Sequence, residues 1–450
     1  MKETRNIRPI INFFDGEYRQ QAQNKNFQSI SSAISGVKPT ANKVLFTVLD
    51  DNINSFQKVE VLSNATALKT EYLGGSSNID GVVINIASAY TGSNNLSLLD
   101  TKGDFGARLN DEAAASRYIY VRKSKNFDML FNKDDINILP RYNLEGKDIE
   151  YQFLTFNLPM ILINSQEGMG SGHAQKILGR NPKEVRDLLL KKLQGKKTAF
   201  DLLPYFRGFE GTVEKGESDK QWIIKGVIEE TGAHKTKIIE VPISESYKSM
   251  IKKLDALVEK KVINNYEDLC DPKNDKFLFI IKHDSKFGAL SYDEKLDKLK
   301  LIKTISENYT CIDANNKIKV FENTDEIFNY YYVVRLEYII KRKNYILDKL
   351  KSDIDIAKSK QFYILKCVND EIILKNNSKS NINEQISKFK EIIKVQDSYN
   401  YLINMPMHSV SKDTVNELIQ KVKELEDKFI EIQNTTPEQM WINDIKDLKF

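Results

Sequence analysis

Two stretches of regularly spaced apolar residues toward the C-terminus constrain the fold most. Leu336, Ile340, Leu347, Leu350 and Ile354 recur at spacings of 4, 7, 3 and 4; Val415, Leu418, Val422, Leu425, Phe429 and Ile432 recur at 3, 4, 3, 4 and 3. Each set places one apolar stripe along a long helix. A stripe of that length must be covered, so the helices are expected to run antiparallel as a coiled-coil arm, interrupted by the Asn- and Ser-rich stretch Asn376 to Asn383. A plain helical bundle satisfies the same periodicity. Asn323, with Glu326 three residues on, reads as the N-cap of the first helix. Asp353 and Asp355 fall inside that helix and read as a solvated face rather than a metal site.

The preceding sequence has two textures. From about Phe27 to Glu150, short helical patterns alternate with loops. Ser29–Ser35 and Ala41–Leu49 are helix-compatible, with Gly36-Val37-Lys38-Pro39 between them as the turn of a helix-turn-helix. Ile119-Tyr120-Val121 reads as a short strand. From about Tyr151 to Asn323, strands and turns dominate. Pro159 to Asn164 is expected as a buried strand running into Gly168, Gly170 and Gly172. Gln221–Ile228 and Lys237–Val241 read as a hairpin around Glu230-Thr231-Gly232. Further strands are expected at Lys276–Ile281, Thr310–Ile312 and Ile318–Val320.

Composition excludes several classes. With 450 residues, 41% hydrophobic, the chain has material for two to four cored domains and is not largely disordered. The longest apolar runs, around Leu158–Ile163, are far short of the ~18 residues that cross a bilayer. Three scattered cysteines and four scattered histidines argue against a disulfide framework or a His/Cys metal centre. No G-x-x-x-x-G-K-[ST] loop for ATP is present. A soluble intracellular protein without a signal peptide is expected.

Net charge is only +4, but it is clustered. Between Ser171 and Phe200 stand eight cations, Lys176 among them, against two anions; Arg117, Arg122, Lys123 and Lys125 lie within nine residues. Two basic clusters flanking a glycine-rich segment fit a polyanion groove. Within the second cluster, Tyr118 follows an Arg, a small-residue run (Ala113-Ala114-Ala115-Ser116) and, further upstream, a Gly103-Asp104-Phe105-Gly106 turn.

These segments resemble the DNA breakage subunit of type IIA DNA topoisomerases. That family takes in the gyrase A protein, the central part of eukaryotic topoisomerase II and the medium subunit of T-even-type bacteriophage topoisomerases. Gly36-Val37-Lys38-Pro39 resembles the family's D-G-L-K-P, and Leu99 to Gly106 its L-x-G-x-G-N/Q-F-G. Ala115-Ser116-Arg117-Tyr118 resembles the segment of the active tyrosine. Ile163 to Gly172 resembles V-N-G-x-E-G-I-G-T-G. Leu402 to Met407 and Thr436 to Trp441 are similar to sequences around the coiled-coil gate. The phage medium subunit is the nearest in plan, since neither a wrapping domain nor an ATPase or Toprim segment is evident.

The resemblance implies an α+β multidomain protein. Residues 1–150 would form a winged-helix domain carrying the tyrosine, 151–325 an α/β tower with a DNA-bending wedge, and 326–450 a coiled-coil and C-gate dimerisation region. Tyr118 would attack a DNA phosphorus to leave a 5′-phosphotyrosyl link, and Arg117 would stabilise the charge that builds up. Met169 would be the apolar wedge. Lys38, Lys43, Arg122, Lys123 and Lys176 would bind the duplex. A phenol ionises only near pH ~10, so this chemistry needs electrostatic help. Implied partners are double-stranded DNA, a second copy of the chain, and a separate large subunit holding Mg2+ on its Toprim domain and binding ATP. The cytoplasm of a phage-infected bacterium is the implied setting, with no membrane partner.

The sequence also departs from the family pattern. Gln28 stands where the family has an arginine, Asn42 and Lys43 replace a basic pair, and Tyr72-Leu73-Gly74-Gly75 lacks the family's histidines. These departures keep open a catalytically weak or inactive DNA-bending scaffold. A coiled-coil structural protein without DNA affinity is the third alternative.

Overall fold

The computed structural model describes residues 10–110, 112–243, 245–406 and 410–450; Met407 of the gate-like motif lies outside them. The described residues pack as two units, those up to 336 with 441–450, and those of 337–440.

In the first unit, helix α1 (Arg19–Ser29) ends at an extended Ile30. The stretch Ser29–Ser35, expected as helix, is instead a turn that bridges Ser32 to Ile312. Buried Ile30, Ala33 and Ile34 fix it there, so its apolar spacing reflects packing, not helical period. Helix α2 (Pro39–Asp50) follows, with Pro39 at its first turn, where a missing N–H costs nothing. Val44, Leu45 and Val48 are fully buried. Val44 and Val48 join α3 (Val59–Lys69), α4 (Ser76–Ala87) and a small sheet in one core cluster that includes Leu62, Ile79, Val83, Ile119 and Val121. That sheet runs β1-β3-β2, all antiparallel, from β1 (Gln57–Lys58), β2 (Leu99–Lys102) and β3 (Tyr120–Lys123). A separate hairpin of β4 (Arg141–Leu144) and β5 (Lys147–Tyr151) turns at Glu145-Gly146, both with positive φ.

Pro159 to Asn164 is buried as expected but is not a strand. Met160–Ile163 form one turn of helix, each side chain at most 1% exposed. An apolar run this short fixes burial and leaves the backbone state open. The hairpin of β6 (Gln166–Met169) and β7 (Ala174–Ile177) comes next, then α5 (Pro182–Leu193).

Beyond it, β8 (Thr212–Lys215) and β9 (Gln221–Lys225) form a three-stranded sheet with β14 (Ile302–Ser306), while β10 (Val227–Gly232), β11 (Lys235–Glu240), β12 (Asn265–Asp268) and β13 (Phe279–Lys282) form a four-stranded one. Helix α6 (Tyr247–Glu259) places Met250, Leu254 and Leu257 in one core with Ile238, Phe279 and Ile281 of the larger sheet. The expected hairpin from Gln221 is therefore divided. Gly226 separates β9 from β10, and a Cβ there would stand 2.4 Å from the Glu240 carbonyl oxygen. The chain changes sheet at that glycine, and the true hairpin is β10–β11. Strands β15 (Thr310–Ile312) and β16 (Ile318–Val320) pair as expected.

Asn323 Oδ1 accepts from the Glu326 backbone N–H at 2.9 Å, capping α7 (Thr324–Val368) as its sequence indicates.

In the second unit, α8 (Lys412–Asn434), capped by Ser411, returns antiparallel to α7. Lys343 Nζ donates to the Gln433 and Thr435 carbonyls at 2.9 and 2.7 Å, and Lys358 pairs with Glu426 at 2.6 Å. Val415 and Val422 are buried on the predicted stripe. On α7, Ile354 is buried as expected, but Ile340 is 42% exposed and its neighbour Ile339 is fully buried in its place.

Candidate DNA-breakage site

The segment around Tyr118 is built to present its side chain. Ser116 to Tyr118 form a turn closed by the Tyr118 N–H to Ala115 carbonyl bond at 2.8 Å. Immediately after it, Ile119 and Val121 are buried and anchor β3 at the centre of its sheet. The upstream glycine motif braces this turn from below. Gly103 has φ +108°, and a Cβ at that position would lie 2.8 Å from Ile119 Cγ2. Asp104 caps the Gly106 N–H at 2.9 Å with its carboxylate and accepts from Ala114 N–H at 3.0 Å with its carbonyl. Tyr118 itself is 66% exposed, with the Arg117 guanidinium 5.1 Å from its ring centroid. Both side chains therefore face solvent from a turn with little freedom to move.

A cleft of about 640 Å3 opens elsewhere in the same unit, lined in part by Gln28, Lys38, Asn85, Ser165, Glu167 and Lys176. It forms because the Gly36–Pro39 turn packs directly on the short buried helix: a Cβ on Gly36 (φ +69°) would stand 2.3 Å from the Ile161 nitrogen. Burial pulls the Lys38 ammonium below its ordinary lysine value, and the charge of Glu167 works against that shift. Lys176 pairs with Glu167 at 3.4 Å, both partly solvated. Lys38 and Lys176 are thus brought together; Tyr118 does not line this cleft.

Met169 stands at the end of β6, 77% exposed. Its flanking glycines sit where no side chain would fit. A Cβ on Gly168 would lie 2.1 Å from the Ser29 carbonyl oxygen, and one on Gly170 would lie 2.0 Å from Asn26 Oδ1. An apolar side chain held in water by so close a fit is not a core methionine.

The other expected DNA cations fare differently. Lys43 is tied to Glu150 and donates to the Thr70 carbonyl at 3.2 Å. Lys123, with its side chain only 3% exposed, pairs with Asp128 at 2.7 Å. Arg122 remains partly exposed, bonded to Asp100 at 3.0 Å and lying 4.5 Å from the Phe56 ring centroid. In the basic stretch after Ser171, Arg180 is buried rather than offered to a ligand, while Lys183, Lys191, Lys196 and Lys197 are exposed. Arg180 pairs with Glu307, which also accepts from Trp222 Nε1 and Tyr309 Oη.

Asn26 and Glu167 have no counterpart among the residues expected from sequence. Asn26 grips the hairpin tip, and Glu167 sits beside both cleft lysines. The Glu167-Gly168 pair within the glycine motif was the available signal for the second; nothing local marks the first. Among the described residues, no group of three or more His, Cys, Asp or Glu side chains could hold a metal ion, and no helix is long and apolar enough to cross a membrane.

Comparison with known proteins identifies the family. The family profile for the A subunits of DNA gyrase and topoisomerase IV matches residues 28–446. The chain is 26% identical over 435 residues to a mitochondrial DNA topoisomerase 2 of Dictyostelium discoideum, covering 94% of this chain and 34% of that protein. It is 28% identical over 436 residues to the DNA topoisomerase 2 of Invertebrate iridescent virus 6, covering 94% and 37%. It thus spans about a third of the length of these relatives. The crystal structure of the Plasmodium falciparum topoisomerase II DNA-binding, cleavage and re-ligation domain superposes with a TM-score of 0.87 at 27% identity, over 97% of this chain and 63% of that one. With a match that takes in the Tyr118 turn, the cleft and the Met169 hairpin alike, the chain belongs to the type IIA topoisomerase family of the DNA gyrase and topoisomerase IV A subunits.

Proposed function

We propose that this chain breaks and rejoins duplex DNA through Tyr118. The phenolic oxygen attacks a backbone phosphorus, the bond from phosphorus to the 3′ oxygen breaks, and the phenol's proton is given up as the 3′ oxygen gains one. The product is a 5′-phosphotyrosyl link and a free 3′-hydroxyl. Attack of that hydroxyl on the same phosphorus reverses the step, so resealing needs no further energy source. Arg117, always charged, stabilises the negative charge on the non-bridging oxygens. The observation that carries the reading is the exposure of Tyr118 on a braced turn with Arg117 5.1 Å from its ring.

One tyrosine cuts one strand, so a double-strand gate needs two copies of the chain. The winged-helix, tower and coiled-coil assignments follow the same reading, with the antiparallel α7–α8 pair as the dimerisation arm. Lys38 and Lys176 hold the duplex backbone, and Met169 enters a base step and bends it. A divalent ion held by a Toprim-bearing partner would supply further charge stabilisation at the phosphate, and ATP bound by that partner would supply the energy for passing a second duplex.

Incubating the chain with a Toprim-bearing partner, Mg2+ and supercoiled DNA tests this. Covalent adducts that vanish in Tyr118→Phe support it; adducts that persist in that variant contradict it. Gln28 at the cleft and a fully exposed Leu73 favour a second reading, a bending scaffold with weak cleavage. DNA bending with no adduct from the wild type would establish that one instead.

A further inference from the structure

A second cleft, of about 620 Å3, adjoins the Met169 hairpin and plays no part in the chemistry above. Gln23, Asn24, His173, Asn315, Asn316 and Lys317 line it, and no carboxylate does. Gln23, Asn24 and Asn315 are exposed, and their carboxamides make no hydrogen bond among the described residues. Lys317 is exposed and its ammonium has no ion-pair partner among them.

The cleft and the hairpin are one piece. Asn26, which also lines the cleft, donates from Nδ2 to the Ser171 carbonyl at 3.2 Å and accepts at Oδ1 from the Ser171 N–H at 2.6 Å. His173 closes the loop from the other side, its carbonyl accepting from Gly170 N–H at 2.9 Å. The cleft thus shares Asn26 and His173 with the hairpin that carries Met169.

We propose that this cleft reads the minor groove next to the base step that Met169 enters, and favours A·T pairs there. The inference rests on the DNA-breakage reading. Apolar wedges unstack base steps from the minor groove, and Asn, Gln and Lys are the side chains that read its edges. A·T pairs present only acceptors on that floor, adenine N3 and thymine O2, whereas guanine adds a protruding amino donor. Free carboxamide N–H2 groups and an ammonium match acceptors. Lysine also gains from the narrow, strongly negative minor groove of A·T tracts. Beside the apolar Phe27, Ile312 and Ile318, the three free carboxamides and one ammonium are donors that suit base edges as well as phosphate, and only the base edges distinguish A·T from G·C.

The test uses the full chain and a pool of duplexes randomised on both sides of a fixed central step, sequencing bound and unbound fractions. The wild type is expected to enrich A·T pairs beside the bent step on the order of fivefold. The triple variant Gln23→Ala, Asn24→Ala, Lys317→Ala changes only exposed positions. It is expected to lose that flanking enrichment while keeping any preference at the central step, where deformability decides. An unchanged flanking profile in the variant, or a flat one in the wild type, overturns the inference while leaving the breakage reading intact. A wild type that binds no duplex overturns both.

Discussion

Gly103 and Ile119 are in contact so close that a single added methyl would collide: a Cβ at Gly103 would reach within 2.8 Å of Ile119 Cγ2, at a φ of +108°. Ile119 directly follows Tyr118, the proposed nucleophile, so this contact sets the height of the Tyr118 turn. Gly103→Ala combines a clash with a backbone conformation L-residues avoid, a strain of about 1–3 kcal/mol. DNA cleavage is expected to fall by roughly tenfold or more, with duplex affinity unchanged. Quantifying adducts beside a gel-shift titration separates the two effects; equal loss of both would mean that the turn is not what was moved.

The cations divide into those that face a cleft and those that serve the fold. Lys38→Ala and Lys176→Ala are each expected to reduce the slope of log K against log salt by about 0.9. Lys43→Ala and Lys123→Ala leave Glu150 and Asp128 without their partners and are expected to lower thermal stability with the salt slope unchanged. Affinities measured at four salt concentrations decide it, and a reduced slope in Lys43→Ala would contradict the division.

Met169 and Gly168 lie side by side yet answer to different forces. Met169→Ala removes an exposed side chain and is expected to shift stability by less than about 0.5 kcal/mol while reducing DNA bending. Gly168→Ala drives a Cβ into the Ser29 carbonyl and is expected to cost about 1–3 kcal/mol. Denaturant melts and end-to-end energy transfer across a bound duplex check both; full bending by Met169→Ala would remove it as the wedge.

Glu307 gives the fold an acid-sensitive core. Burial works to raise its pKa, but the Arg180 pair and the Trp222 and Leu178 N–H donors outweigh that and hold it below the ordinary carboxylate value. Because the folded pKa is depressed, the contribution is fully present above the unfolded value, near 4.5, and is lost as pH falls through the lower folded one. Glu307→Gln leaves Arg180 buried without its counter-charge and is expected to cost about 3–5 kcal/mol at neutral pH. It should also flatten the loss of stability below that pH. Melts across pH 3 to 7 follow both; an acid limb as steep as that of the wild type would place the sensitivity elsewhere.

The legible parts of this fold were those where one physical signal dominates. The α8 stripe, the Asn323 cap and the β15–β16 pairing are local patterns, and the structure holds them. Met160–Ile163 shows where pattern stops: four apolar residues dictate burial, whereas the buried turn of helix is decided by the Gly36 turn packed on it. The division of the Gln221 hairpin was hidden for the same reason, because only the distant Glu240 carbonyl explains Gly226. Tyr118, Arg117 and Met169 stood out through the motifs around them. Arg180, Lys43 and Lys123 did not declare their role, since a cation bound for a carboxylate of the same fold and one bound for phosphate look alike until the carboxylate is placed. Asn26 grips a hairpin tip 145 residues away and left no local trace.

The most direct measurement is to trap the covalent complex with a cleavable duplex, digest it, and map the nucleotide-bearing peptide by mass spectrometry. The expected result is one modified site, Tyr118, with the nucleotide attached through its 5′ phosphate. A nucleotide on any other tyrosine, or a 3′-phosphate linkage at this one, would contradict the account.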